Sequence, residues 1–402
     1  MIYQPPAGAR DLLPLDVAQK RWIEDRLQQV FHRWGYHRII TSTLERLDTL
    51  MAGGAIERST VIQLQHLEDE PLGLRPELTA SIARTAVTRM AGSAFPQRLY
   101  YNANVFRRAQ ESSPTRQQEF YQAGVELLGG SGLLADAEVL LLLIDGLRNL
   151  GLSQGCSLIL GEAGLTRSLL SVFPEAVREK VRRAIVALDR IALETMSLPD
   201  ELLDRALLLL DLRGKPADVL QQISNLFLDK NQRDVVNNLK SLIELLQTSL
   251  QNEVSIVLDL SLIRTFDYYT GIVFEVVTPS GQTVLGQGGR YDQLLGLYHP
   301  QGQALPGIGF SLQIEELHQV LLATGQLPKQ TPASDWLVVS ETPETHAIAL
   351  SHAQKLRESG DRVELNLSDG DHDDVREYAR ERRIDQIAWI QVDGSAIAER
   401  IA

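Results

Sequence analysis

Strand-type patterning lies on both sides of residues 167–250 and is missing within them. Across that stretch apolar residues recur at helical spacing, broken near Pro199 and at Gly214-Lys215-Pro216. Strands resume at Ser255–Leu260, Gly271–Thr278 and Thr283–Leu285. The pattern predicts an all-helical insertion within a domain whose strands come from both flanks.

The remaining elements read locally. Residues 17–34 carry apolar side chains at helical spacing, between Pro14 and the stop at Gly35. His37–Thr43 is β-branched and reads as a strand, and residues 74–90 as a helix after Pro76. Arg98–Phe106 and Glu119–Leu128 read as antiparallel partners joined by the polar loop Arg107–Gln118. Residues 133–150 form an apolar helix, and Cys156–Leu160 a short strand. Gly286-Gln287-Gly288-Gly289 reads as a turn, because it lacks the spacing of a phosphate-binding loop. After a linker at 326–334, strands at Trp336–Val339, Arg362–Leu367 and Gln386–Gln391 alternate with helices near 344–358 and 373–383, a small α/β unit.

Composition narrows the function classes. The 402 residues carry a net charge of −13, against a broad nucleic-acid footprint. Cys156 is the only cysteine, so no internal disulfide or cysteine zinc cluster can form, as expected of a cytoplasmic protein. In its apolar strand Cys156 reads as core. The eight histidines show no metal-ligand spacing, and no metal or cofactor is expected. Met1–Arg10 has no apolar signal core and the leucine runs are too short to span a bilayer, so no membrane role is expected. Asp369–Asp374 mimics the start of a calcium loop but lacks its glycine and terminal glutamate, and reads as a solvated helix N-terminus.

Several ordered blocks carry a resemblance. They are Gly35–Glu45, Leu74-Arg75-Pro76-Glu77-Leu78-Thr79-Ala80, Tyr100–Arg107, Phe120–Glu126, Leu262–Tyr269, Gly288-Gly289-Arg290-Tyr291-Asp292 and Pro306–Leu317. Together they resemble the class II aminoacyl-tRNA synthetases, and Leu262–Tyr269 with Gly288–Asp292 resemble the histidyl enzyme in particular. The resemblance implies an α+β fold, with an antiparallel sheet flanked by helices. It spans residues 1–325 with an insertion at about 167–250, followed by a 331–402 unit resembling a truncated anticodon-binding domain. Carried over by position, Glu77, Gln122 and Glu126 would serve the ammonium of bound histidine. Arg107 and Arg264 would lie on its carboxylate side, and Tyr268, Tyr269 and Tyr291 would line the imidazole end. These residue types suit the ligand, since carboxylates pair with ammonium, arginine with carboxylate, and polar groups with both ring nitrogens.

The ATP half departs from that family. Ala109 stands where a glutamate helps hold adenine, and the loop at 110–115 matches poorly. Gln313 and Glu316 stand at the glycine and arginine of the element that holds ATP. A carboxylate ~5 Å from a phosphate charge costs about 3 kcal/mol at an effective dielectric of ~20. Arg264 fits either adenylate formation or the amino acid itself. Residues 331–402 hold 8 Lys/Arg and 15 Asp/Glu, a poor anticodon reader, so no tRNA is expected.

An intact amino-acid pocket beside a damaged ATP site resembles the regulatory subunits of ATP phosphoribosyltransferase. That resemblance implies no catalytic residues in this chain. It implies a short-form catalytic subunit as partner, L-histidine as feedback effector, and a homodimer within a hetero-octamer. Two alternatives stay open: an active histidyl-tRNA synthetase, and a histidine sensor acting on another target.

Overall fold

The structure is a computed structural model, and it describes residues 3, 5–54, 56–64, 70–109, 117–251, 253–262, 269–368 and 370–401. Helix α1 (Pro14–Arg33) starts on a proline whose missing N–H is not needed there, and Asp16 accepts the Leu13 N–H at 3.0 Å. Its buried face is Gln19, Ile23, Leu27, Val30 and Phe31. Gly35 (φ +80°) then reverses the chain into β1 (His37–Arg38).

The expected strand at His37–Thr43 is cut to those two residues. The Ile39 N–H still bonds the Tyr100 carbonyl, but the carbonyls of Thr41 and Ser42 accept from the Arg75 guanidinium at 2.8 and 3.2 Å. A buried side chain thus takes the bonds that a ladder would have used. The chain turns instead into a separate sheet of β2 (Leu44–Arg46), β3 (Gln63–Leu64) and β4 (Leu72–Leu74), carrying α2 (Leu47–Met51).

Helix α3 (Thr79–Thr88) leads to β5 (Gln97–Phe106) and β6 (Glu119–Leu128), paired antiparallel over all ten residues. Helix α4 (Leu133–Asn149) and β7 (Ser157–Glu162) follow, and Cys156 lies buried just before β7. Helix α5 (Ala163–Leu170) leads into the insertion, which contains α6 (Glu175–Val186), α7 (Arg190–Glu194), α8 (Asp200–Asp211), α9 (Pro216–Ser224) and α10 (Lys230–Leu250). It is not wholly helical. The two-residue β8 (Arg213–Gly214) pairs with β9 (Ser255–Asp259) at the sheet edge, too short to leave a period in the sequence.

The sheet is completed by β10 (Ile272–Val277), β11 (Val284–Arg290) and β12 (Gly307–Gln313), with α11 (Leu294–Tyr298) between the last two and α12 (Ile314–Thr324) after them. Nine strands run in the order β1-β5-β6-β12-β11-β10-β7-β9-β8. Here the expected turn at Gly286–Gly289 is overturned: all four residues lie within β11. Their smallness serves close packing, since a Cβ on Gly288 would overlap the Gly309 carbonyl and meet the Phe274 ring at 2.7 Å.

Alternation along the strands divides the core. Ala123, Val125, Leu127, Ile308, Phe310 and Leu312 pack in the cluster that holds buried residues of α1, α4 and α12. Val273 packs in a second cluster, with Ile82, Ala86, Tyr101, Leu294 and Leu295. The candidate site opens on this second face.

The chain divides into two compact units, Met1–Leu327 and Pro328–Ala402. The second contains β13 (Trp336–Ser340), α13 (His346–Glu358), β14 (Val363–Leu365), α14 (His372–Arg382), β15 (Gln386–Ile390) and β16 (Ala396–Arg400), ordered β14-β13-β15-β16. The fourth strand exceeds the three expected. It returns antiparallel to β15 after a turn at Gly394 (φ +86°). Asp371 caps α14 by accepting the N–H groups of Asp373 and Asp374. Asp369 lies outside the described residues. Among the described residues, no helix is long and apolar enough to cross a membrane, and no cluster of His, Cys, Asp and Glu is placed to hold a metal.

Candidate functional site

Three adjacent strands, β6, β12 and β11, form a floor on which side chains of one parity rise together. From β6 these are Gln122 and Glu126, with Gly124 between them. Glu77, Arg107, Gln122, Glu126, Tyr269 and Tyr291 all line one cavity, which with its mouth encloses about 410 Å³. Six of the eight predicted ligand residues thus converge from five places in the sequence. Arg264, Tyr268 and the loop positions 110–115 lie outside the described residues. Thr79, Tyr101, Gln287 and Ser311 also line the cavity and were not singled out by the sequence. Only the register of β11 on β12 and of β12 on β6 reveals the last two.

Glu77 precedes α3, and its carboxylate accepts the N–H groups of Thr79 and Ala80, the latter at 2.9 Å. This is the favourable position for an anion at a helix start. Burial pushes its carboxyl upward, opposed by those bonds and by Arg107.

Glu126 is 1 % exposed and accepts from the Thr79 hydroxyl at 2.7 Å and from the Tyr291 hydroxyl. Burial pushes its carboxyl up to about 8; the Tyr291 and Thr79 bonds oppose that rise, and nearby Glu77 adds to it. Gly309 stands directly across from Glu126, and a Cβ there would overlap the carboxylate. The glycine is what lets the acid lie flat on the floor. Tyr291, expected at the imidazole end, is therefore bonded to Glu126, expected at the ammonium end. The two ends meet at this one carboxyl.

Arg107 ends β5. Its Nε donates to the Pro76 carbonyl at 3.0 Å, and its guanidinium lies 5.7 Å from the centre of the Phe120 ring. Burial lowers its pKa and Glu77 opposes that shift, so the group stays cationic. Tyr101 is buried, and burial among Glu126 and Glu77 holds its phenol far above the ordinary value.

At the other end of the floor, Gln122 is 2 % exposed and its Nε2 donates to Gln313 Oε1 at 3.2 Å. Gln313 is the residue that departs from the synthetase glycine, and its amide is fastened across this end. Glu316 is exposed on the first turn of α12, with no ion-pair partner among the described residues. Its neighbour Glu315 turns inward and accepts the Tyr121 N–H at 2.9 Å, tying α12 to β6. Ala109 is half-buried and offers no polar atom beyond its backbone.

Residues 8–317 match the family Histidyl-tRNA synthetase. Over 406 aligned positions, covering all of both chains, the sequence is 67% identical to an ATP phosphoribosyltransferase regulatory subunit from Nostoc sp. (strain PCC 7120). This chain belongs to the family of ATP phosphoribosyltransferase regulatory subunits. A regulatory subunit from Gloeothece citriformis is 59% identical over 408 positions, again over the whole of both chains. A solved structure from Bacillus halodurans, described as an ATP phosphoribosyltransferase regulatory subunit/histidyl-tRNA synthetase, superposes with a TM-score of 0.79 at 29% identity, covering 94% of this chain and 97% of that one. The histidyl-tRNA synthetase of Nostoc sp. PCC 7120 superposes with a TM-score of 0.77, covering 99% and 97%; at 21% identity this speaks for the fold alone.

Proposed function

We propose that this chain acts as the non-catalytic regulatory subunit of ATP phosphoribosyltransferase, in the first step of histidine biosynthesis. It partners a short-form catalytic subunit, supports its activity, and transmits feedback inhibition by L-histidine bound in the cavity of β6, β12 and β11. The observation that carries the histidine reading is the convergence of Glu77, Arg107, Gln122, Glu126, Tyr269 and Tyr291 on one cavity. Two buried carboxyls, one guanidinium and two phenols in one space suit a small zwitterion with a polar ring. Arg264 and Tyr268 complete the set by position in the sequence.

The non-catalytic reading is supported by Gln313, which stands where the resembling synthetase element carries glycine and accepts from Gln122, and by the residues at 109 and 316. A homodimer within a hetero-octamer is the assembly we assign. Ile40 (79 % exposed), Leu44 and Leu64 leave apolar surface beside the segment that resembles the class II dimer motif. The acidic second unit serves no tRNA, and the protein works in the cytoplasm without cofactor or metal.

Feedback through this chain requires linkage: the partner must change histidine affinity by the same factor by which histidine changes partner affinity. Calorimetric titration of histidine into this protein, alone and with its catalytic subunit, tests that. Equal affinity in both titrations would sink the proposal.

A further inference from the structure

We propose that Gln287 and Ser311 hold the carboxylate of the bound effector, an inference that rests on reading the cavity as a histidine site. The three floor strands align in rows. Glu126, Gly309 and Gly289 make one row; Gly124, Ser311 and Gln287 make the next; Gln122 and Gln313 follow. Rows on one face of a sheet lie two residues apart, roughly 7 Å. In the middle row Gly124 has no side chain, because a Cβ there would overlap the Phe310 carbonyl and crowd the Tyr101 hydroxyl. The polar atoms of that row at the cavity therefore belong to Ser311 and Gln287, which face each other directly across β12 and β11.

These two differ from their neighbours in being unspent. Glu126 accepts from Thr79 and Tyr291, and Gln122 donates to Gln313. Gln287 and Ser311 are half-buried and make no side-chain hydrogen bond with any described residue. A half-buried amide and hydroxyl side by side in a cavity offer two N–H donors and one O–H donor to an acceptor.

Charge decides which end of the ligand they meet. Glu77, joined to Glu126 through Thr79, is already faced by the Arg107 guanidinium, and a ligand cation beside Glu126 favours its ionised form, so this end suits the ammonium or the ring and not the carboxylate. A cationic or ring end seated at Glu126 and Tyr291 places the far end of an amino-acid-sized ligand about one row away, over Gln287 and Ser311. Glu275, opposite Gln287 on β10, is buried and is not among the residues lining the cavity.

The test compares L-histidine with L-histidinol, which keeps the ammonium and the ring and lacks the carboxylate. Binding of each is measured by calorimetry to the full-length wild type and to Gln287→Ala, Gln287→Glu and Ser311→Ala, with thermal unfolding as the control for folding. We expect the wild type to prefer histidine. Gln287→Ala should weaken histidine about tenfold and leave histidinol within twofold, with Ser311→Ala acting in the same sense. Gln287→Glu should weaken histidine further while histidinol holds or gains. A wild type that binds both ligands equally, or variants that weaken both alike or neither, would overturn the inference while leaving the histidine site standing. A wild type that does not bind histidine would overturn the site itself.

Discussion

Glu126→Gln isolates one buried carboxyl. A carboxyl moved from 4.5 to about 8 is resisted in its ionised form by roughly 5 kcal/mol, at 1.36 kcal/mol per unit. Between these two values the native state holds a proton that the unfolded chain has released. Native stability therefore falls as pH rises from about 4.5 to about 8, and flattens above. The amide keeps the shape and an acceptor for Thr79 but cannot ionise. Glu162, also raised by burial, acts in the same direction in both proteins and cancels in the comparison, whereas the repulsion between Glu77 and Glu126 is part of what the variant removes. The stability of Glu126→Gln relative to wild type should grow by roughly 2 kcal/mol between pH 6 and pH 8, then stay level. Urea unfolding of both proteins at pH 6, 7, 8 and 9 measures this. A difference constant to within about 0.5 kcal/mol across that range would refute the buried, protonated Glu126.

Three further outcomes follow from the same geometry. Histidine binding should release a proton below about pH 8, because a cation beside Glu126 favours its ionised form; the calorimetric enthalpy should then differ between buffers of unlike protonation enthalpy, and affinity should rise from pH 6 to pH 8. Gly309→Ala should destabilise the fold by about 1–3 kcal/mol in thermal unfolding and abolish histidine binding, since its Cβ overlaps the Glu126 carboxylate and the Val125 carbonyl. Purified protein should show no histidine-dependent exchange of pyrophosphate into ATP, with the Gln122–Gln313 bond across that end of the floor.

What the sequence made legible was whatever its own neighbours determine. The β5–β6 pair declares itself because both strands run ten residues with a polar connection. Six of the residues lining the cavity could be named because each sits in a short block with its own pattern. The misses share one cause, which is contact between distant segments. Gly286–Gly289 looks like a turn until Phe274 and Gly309 are seen to crowd it. His37–Thr43 looks like a strand until Arg75 claims its carbonyls. Gln287 and Ser311 look unremarkable until strand register sets them side by side, and Tyr291 meets Glu126 across 165 positions of sequence.

We propose that this chain confers histidine control on a catalytic partner. The most direct measurement is phosphoribosyl-ATP synthesis by the cognate short-form catalytic subunit, with and without this protein and with and without histidine. The protein should raise activity, histidine should reverse the rise, and Glu126→Gln should blunt the reversal. A rate indifferent to this protein, or a rise that histidine leaves untouched, would contradict it.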